Sequence, residues 1–480
     1  MKKTGNEYFD SDEFHELLAE YEDAVNTGQP VFMDADELAD IADYYQLEQR
    51  FDEADNAIEL ALSLAPGAIA PLTYKIHEAL WNGNTNEARQ YLERITETDE
   101  PDYVYDTAEI MLVEGDVEKA DKYLRDEFKK VPPEEYQDFV IDVANIYADY
   151  NYPEKAMQWM ARARQEDSKE FKELMARTLF GLGKYKDSEK LWGELIDSDP
   201  FSKNYWNALA STQFMNEDYS HSVESSEYAI AIDPTDPEGL LQKANALYYM
   251  YNYEEALKYF QRYSKQVPDD EYGLLQQGTC LINMGQNAKA IEKLKEAEKV
   301  AIDNAENDGE TSPCLGEIYQ ELAFAYSETD ETQLALQMLD KADAEGGDKV
   351  QTLIVRGHIM LAAGQLEEAE HFFREAVVKS DTAEKTLLRI IVAVYDNHYL
   401  EAAYNLFLKY FRIIPKDYTE GYAYMALCCY DMKKYEEFLS YLKTACQLNP
   451  RECQIALSHL FPDNVEPTEY YDYIKDRMKD

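Results

Sequence analysis

The chain has 480 residues with 96 acidic and 46 basic side chains, a net charge of −50 and a pI near 4.4. Nucleic-acid affinity rests on lysine and arginine displacing phosphate counterions, so this balance argues against a nucleic-acid binder. The longest apolar run, Arg389 to Tyr395, falls well short of the roughly 20 residues that cross a bilayer, and the six cysteines carry no CxxC or Cys/His metal spacing.

At the N-terminus, Lys2 and Lys3 are followed by Gly5-Asn6-Glu7-Tyr8 and Asp10 rather than an apolar stretch, which is not the pattern of a secretory signal. A cytoplasmic protein whose cysteines are small core residues is the expectation. Asp10 and Ser11 are set to cap a helix whose apolar face is Phe14, Leu17, Leu18, Tyr21 and Val25 and which ends near Gly28. Residues 1–34 therefore read as an N-terminal cap.

A small residue then recurs through the chain: Ala54, Ala88, Ala120, Ala156, Ser188, Ser222, Ala256, Ala290, Ala335, Ala369 and Ala402, with Phe438 in the last slot. The gaps are 32 to 36 residues except for one of 45. A fixed period in this range marks a stacked-repeat architecture. Each period opens with a helix carrying a second small position (Ala42, Ala108, Ala144, Ala176, Ala210, Ala244, Gly278, Ala323, Gly357, Ala426), usually with a large residue three later. Small against large at helical spacing lets two helices approach closely. Glycine breaks the first helix, as at Gly183, Gly285 and Gly364, and Pro66, Pro132, Pro200, Pro234, Pro268, Pro415 and Pro450 close the second.

Two stretches carry a family likeness: Tyr205-Trp206-Asn207-Ala208-Leu209-Ala210, and Asn252-Tyr253-Glu254-Glu255-Ala256-Leu257-Lys258-Tyr259-Phe260. They resemble the opening helix and the second helix of the tetratricopeptide repeat, and the likeness extends over roughly residues 35 to 450. It departs at Ile76 and Ile390, where a small residue is expected, and at Phe438. The resemblance implies an all-α, right-handed superhelical solenoid of about twelve helical hairpins with terminal capping helices, the first helices lining a concave groove.

The gap of 45 residues places an insertion at 300–315, between units 1–8 (35–299) and units 9–12 (316–450). An extended second helix followed by an exposed loop through Asp308, Gly309 and Glu310 is expected, a possible hinge; a calcium loop fails because Ala305 occupies a ligand position. Residues 451–480 read as a C-terminal cap, with Ile455, Leu457, Leu460 and Phe461 as its apolar face and a last segment from Thr468 to Lys479.

Function is expected in the groove. The inward first-helix positions hold Asp36, Asp40 and Asp43 in unit 1, Asp102, Tyr105, Asp106 and Glu109 in unit 3, and Asp138, Asp142 and Asn145 in unit 4. Units 6 to 8 supply Asn207, Asn245, Tyr248, Tyr272 and Gln276, amides and aromatics able to grip an extended peptide. Units 10 to 12 turn apolar, with Ile354, Val355, Leu361, Leu387, Leu388, Ile391, Tyr424 and Leu427, either a helix-accepting groove or contacts closed by the superhelix itself. The blander alternative is that the acidic face is solvated and the tyrosines are packing.

The clamp by which co-chaperone repeats hold an acidic tail needs inward cations, and only Arg177 is a candidate. Seven scattered histidines, no HExxH, no phosphate loop and no nucleophile elbow give no enzyme signature, and neither terminus supplies a basic DNA-reading helix. The expectation is a non-catalytic adaptor that holds a basic segment of a protein partner, without cofactor, metal, nucleic acid, membrane or small-molecule substrate. The alternative is a structural subunit assembled through its outer face and ends.

Overall fold

The computed structural model describes residues 6–9, 11–48, 50–163, 168–308, 311–415, 417–462 and 465–477. Among them there is no strand, and the helices fall into two compact units, 1–216 and 217–480.

In unit 1, α1 (Asn6–Phe9) and α2 (Asp12–Thr27) precede the hairpins α3 (Ala35–Leu47) with α4 (Phe51–Leu64), α5 (Ile69–Trp81) with α6 (Thr85–Leu92), and α7 (Pro101–Val113) with α8 (Val117–Phe128). The hairpins α9 (Tyr136–Asp149) with α10 (Pro153–Met160) and α11 (Lys169–Gly181) with α12 (Tyr185–Ser198) follow, and α13 (Lys203–Met215) ends the unit. Ser11 caps α2 by accepting from Phe14 N at 3.2 Å, and Gly28 ends it in the left-handed conformation. The buried face of α2 is Phe14 and Tyr21, whereas Val25, on the same face in the helix's last turn, is exposed. The expected capping role of Asp10 lies outside the described residues.

Unit 2 opens with α14 (Tyr219–Ile232) and continues through the hairpins α15 (Pro237–Tyr249) with α16 (Tyr253–Gln266), α17 (Glu271–Asn283) with α18 (Asn287–Asp308), and α19 (Leu315–Glu328) with α20 (Thr332–Ala344). Then come α21 (Lys349–Ala362) with α22 (Leu366–Lys379), α23 (Ala383–Asp396) with α24 (Leu400–Ile413), α25 (Tyr422–Asp431) with α26 (Tyr435–Leu448), and the closing helices α27 (Pro450–Leu457) and α28 (Tyr470–Arg477). At 22 residues, α18 is the longest helix of the unit. Its Asn304 donates to Asp269 O and to Glu271, both at 2.9 Å, which ties the extension back to the start of α17. Gly309 and Glu310, expected in the following loop, lie outside the described residues, as does Lys479.

Two features repeat with the period of the sequence. The first is a left-handed residue directly after the first helix: Gly83, Gly115, Asn151, Gly183, Glu217, Tyr251, Gly285, Asp330, Gly364, His398 and Lys433, all with φ between 59° and 83°. Glycine suits this turn, yet six other residues occupy it, so glycine alone under-reports the repeat. The second is a small residue on the first helix paired with a large one sixteen positions later on the second. Ala108/Leu124, Ala144/Met160, Ala244/Phe260, Ala323/Leu339 and Ala426/Leu442 are all buried. At Gly278 and Gly357 the approach is closest, since an added Cβ would lie 2.5 Å from Leu294 Cγ and 2.3 Å from Phe373 Cε1.

This geometry corrects one register. Ala403 is fully buried on α24 and Ala402 is exposed, so the recurring small residue is Ala403, and Ile391 rather than Ile390 takes the slot sixteen positions before Phe407. Adjacent alanines made the two registers equivalent by composition. The apolar residues Ile354, Val355, Leu361, Leu388, Ile391 and Leu427 are buried in the core of unit 2, so they are internal contacts and not an open groove. At the end of the unit, Leu457 and Phe461 are buried while Ile455 is exposed. Arg451 of α27 donates to Tyr249 O at 3.2 Å and lies 4.9 Å from the Tyr219 ring and 5.6 Å from the Tyr251 ring, so the last helices of unit 2 meet its first.

Candidate functional site: an acidic groove in unit 1

The first helices α3, α5, α7 and α9 line a groove of about 1920 Å³ together with Phe9 and parts of α4 and α8. Thirteen lining residues are carboxylates, against Lys130 as the lone lining lysine, and Lys130 is already paired with Glu127 at 2.7 Å. Seven of the thirteen come from first helices, and the rest from α4, α8 and the connections before α7 and α9. Asp36, Asp40 and Asp43 lie on α3, Asp102 on α7, and Asp138 and Asp142 on α9.

Local bonds fix several of these groups. Tyr8 Oη donates to Asp40 Oδ2 at 3.0 Å and Tyr105 Oη donates to Asp142 Oδ2 at 3.1 Å. Burial, followed by the charge of Asp40, pushes Asp43 up to about 6, with His77 opposing. Asp142 is likewise raised by burial and by the neighbouring charges of Asp138 and Asp102. Carboxylates that raise one another are short of counter-charge, and a cation entering the groove relieves that repulsion.

Of the residues singled out in the sequence, Asp36, Asp40, Asp102, Tyr105, Asp138 and Asp142 line this groove. Asp106 is only 1% exposed and accepts from Thr73 Oγ1 at 2.7 Å, so it faces its neighbours rather than solvent. Glu109 stands beside it, at 3.0 Å from His77 Nε2. Asn145 accepts from Arg177, whose guanidinium is paired with Asp149, so Arg177 is not an open anchor for an acidic tail. Asn207 is buried on α13. Asn245, Tyr248, Tyr272 and Gln276 belong to unit 2, where Tyr272 Oη donates to Asn245 Oδ1 at 3.3 Å and Asn283 Nδ2 donates to Tyr248 Oη at 3.4 Å. The residues chosen from the sequence are therefore divided between two units.

Sequence reasoning missed the groove's apolar rim and its histidine. Trp81 is 92% exposed at the end of α5, and Leu47 and Phe51 are exposed at the α3–α4 turn; all three line the groove. Large exposed side chains at consecutive first-helix ends are the signal that a search of inward positions alone overlooks. His77 Nε2 lies 3.2 Å from Asp106 Oδ1 and 3.0 Å from Glu109 Oε2. Burial works against its charged form, but the hydrogen bonds to Asp106 and Glu109 and their charges outweigh it and push the imidazole up to about 10.

Burial in unit 2 pushes both Glu452 and Glu321 up to about 7, and Glu452 differs in accepting from the backbone N–H groups of Gly421 and Ala423. Burial, reinforced by Glu317 one turn earlier on α19, pushes Glu321 up to about 7 from 4.5. A folded-state value above the unfolded one means the folded chain prefers the protonated form; the penalty is absent below about 4.5, grows as pH rises and is complete above about 7. Glu321→Gln is expected to stabilise unit 2 by about 1–3 kcal/mol at pH 8 and by little at pH 4.5. Urea midpoints of the variant and the parent across that range check this; a gain that does not change with pH contradicts it.

Stacked hairpins, most of them with a left-handed turn and a small-on-large contact, define the chain as a helical-repeat solenoid protein. The family model described as Tetratricopeptide repeat matches residues 174–237 and 241–307, so these stretches are similar to that repeat, whose proteins are protein-interaction scaffolds and typically non-catalytic. No curated protein matches it in sequence. Among solved structures it is similar to YrrB, described as a TPR protein with an unusual peptide-binding site, at 18% identity over 42% of this chain and 95% of that one, TM-score 0.33. It is also similar to a chain of the APC/C hetero-tetramer Cut9–Hcn1, at 13% identity over 93% of this chain and 92% of that one, TM-score 0.35. The Pseudomonas aeruginosa pilF protein matches at 16% identity over 45% of this chain and 94% of that one, TM-score 0.36. Among the described residues no helix is long and apolar enough to cross a membrane.

Proposed function

We propose that the protein is a non-catalytic adaptor that captures a basic segment of a protein partner in the unit 1 groove. The observation that carries this reading is the groove's composition, thirteen carboxylates lining one concavity with a lone lysine that is already paired. Lysine and arginine of the partner replace the missing counter-charge, and their alkyl stems lie along Tyr105, which bonds Asp142 on the groove wall. Trp81, Leu47 and Phe51 supply a rim for one apolar side chain of the same segment. Charge then governs encounter, and the apolar contact governs residence.

The test uses a fluorescent peptide of about twelve residues, rich in lysine and arginine with one tryptophan, titrated by anisotropy at about 50 and 500 mM salt, where the Debye length falls from over 10 Å to below 5 Å. Affinity is expected to drop at least tenfold with salt. Trp81→Ala is expected to weaken binding about fivefold at both concentrations, because the lost contact is apolar. Binding that ignores both salt and Trp81 overturns the reading.

A further inference from the structure

The strongest unassigned feature of unit 1 is the convergence of His77, Asp106 and Glu109, contributed by the neighbouring first helices α5 and α7. Asp106 and Glu109 are one turn apart on α7, which brings both carboxylates to the same imidazole. His77 Nε2 is 3.2 Å from Asp106 Oδ1 and 3.0 Å from Glu109 Oε2, and the three donor atoms all lie within 4.8 Å of one another. A ring nitrogen carries at most one proton, which makes one good hydrogen bond. Two carboxylate oxygens converging on it must share that one proton in a forked bond, and a divalent ion in the proton's place would engage both fully. Two ligands of a single ion, each about 2.1 Å from it, stand about 3.0–3.4 Å apart in tetrahedral or cis-octahedral geometry, and both measured separations fall in that range.

The surroundings distinguish this group from the exposed carboxylates elsewhere in the groove. Asp106 is buried, and its second oxygen accepts from Thr73 Oγ1 at 2.7 Å, which leaves Oδ1 directed at His77. Thr73 lies one turn before His77 on α5, so one helix supplies both a ligand and the group that orients another. The imidazole side remains open to the groove, with His77 among its lining residues, which provides an entry path and room for water to complete a coordination sphere. We infer that His77, Asp106 and Glu109 form a binding site for a divalent transition-metal ion, with Nε2, Oδ1 and Oε2 as ligands. The nitrogen-plus-carboxylate donor set favours zinc, cobalt or manganese over magnesium or calcium, which take oxygen alone. Binding releases any proton held at Nε2. Bound there, the ion would cross-link α5 and α7 on the groove wall. This site does not depend on the peptide reading.

The experiment is titration of the chelator-treated full chain with Co²⁺ and Zn²⁺, followed by calorimetry and, for cobalt, by the visible absorption that reports nitrogen ligation. One site per chain is expected, weakened at least tenfold in His77→Ala and in Glu109→Gln, with the cobalt band lost in His77→Ala. Asp36→Asn and Asp102→Asn, which remove groove carboxylates outside the triad, are expected to leave affinity within about twofold. Circular dichroism establishes that each variant keeps its helices, and Glu109→Gln, the milder change, serves if His77→Ala does not. Equal weakening in all four variants means diffuse cation condensation in an acidic groove and overturns the site. Unchanged affinity in Glu109→Gln, or magnesium binding as tightly as zinc, also overturns it.

Discussion

Replacing Asp36, Asp102 and Asp138 together by lysine is expected to weaken the basic peptide about 100-fold at about 50 mM salt, about 2.8 kcal/mol at 1.4 kcal/mol per tenfold. These residues lie on three of the groove's four first helices, α3, α7 and α9, so the reversal turns an attractive wall into a repulsive one along its length. Asp106 is left out although the sequence places it in the same stripe, because a lysine there would enter a buried site between Thr73 and His77 and test folding instead of binding. Asp142 is left out because it accepts from Tyr105 Oη. The necessary control reverses the exposed Glu59, Asp126 and Glu154, which are outside the groove lining, and so makes the same change in net charge. In a chain of net charge −50, long-range attraction alone would affect both variants equally. The groove variant is expected to lose at least tenfold more than the control at about 150 mM salt, where screening confines the effect to about 8 Å. Equal losses would reduce the groove to a solvated acidic face.

How much of this was legible in the sequence depends on whether a feature is periodic. The hairpins were, because most carry a small residue where two helices touch, and that choice returns with the period even though Ile76 and Ile391 break it. Where two alanines adjoin, as at Ala402 and Ala403, the period fixed the helix but not the residue, and burial was needed to choose between them. The acidic wall was also legible, since Asp36, Asp40, Asp102, Asp138 and Asp142 follow the stripe of the first helices. Exposure was not. Asp106 and Asp102 are one helical turn apart and look equivalent by spacing, yet Asp106 points between helices and is buried. His77 was hidden for a different reason: its partners lie about thirty residues away on the next first helix, and a lone histidine carries no local pattern. The division of the chain at 216/217 has no marker in the series of small residues, which passes through it with Ser188 and Ser222 at the ordinary spacing.

Gly357→Val is expected to destabilise unit 2 by about 3 kcal/mol, the cost of overpacking a close helix contact. Gly357 lies on α21, and a Cβ there would stand 2.3, 2.6 and 2.8 Å from Phe373 Cε1, Cδ1 and Cζ on α22. Phe373 is buried, and a ring fixed at three atoms cannot yield as the tip of a flexible chain does. Two effects oppose each other at this site. Glycine within a helix costs about 0.5–1 kcal/mol relative to alanine, so any substitution recovers some backbone stability. A clash of this depth exceeds that gain. Gly357→Ala is therefore expected to destabilise by a smaller amount, about 1 kcal/mol, and valine by more because its branched Cβ adds two methyl groups at the point of contact. Trimming the ring supplies the decisive comparison. In the double variant Gly357→Val, Phe373→Leu the new methyls occupy the space the ring leaves, so the combined loss should be at least 1 kcal/mol less than the two single losses added. Urea unfolding of the four chains reads this coupling directly. Additive losses would mean that Gly357 and Phe373 do not meet in the folded chain, and that the sixteen-residue pairing of small and large positions is not what holds these hairpins closed.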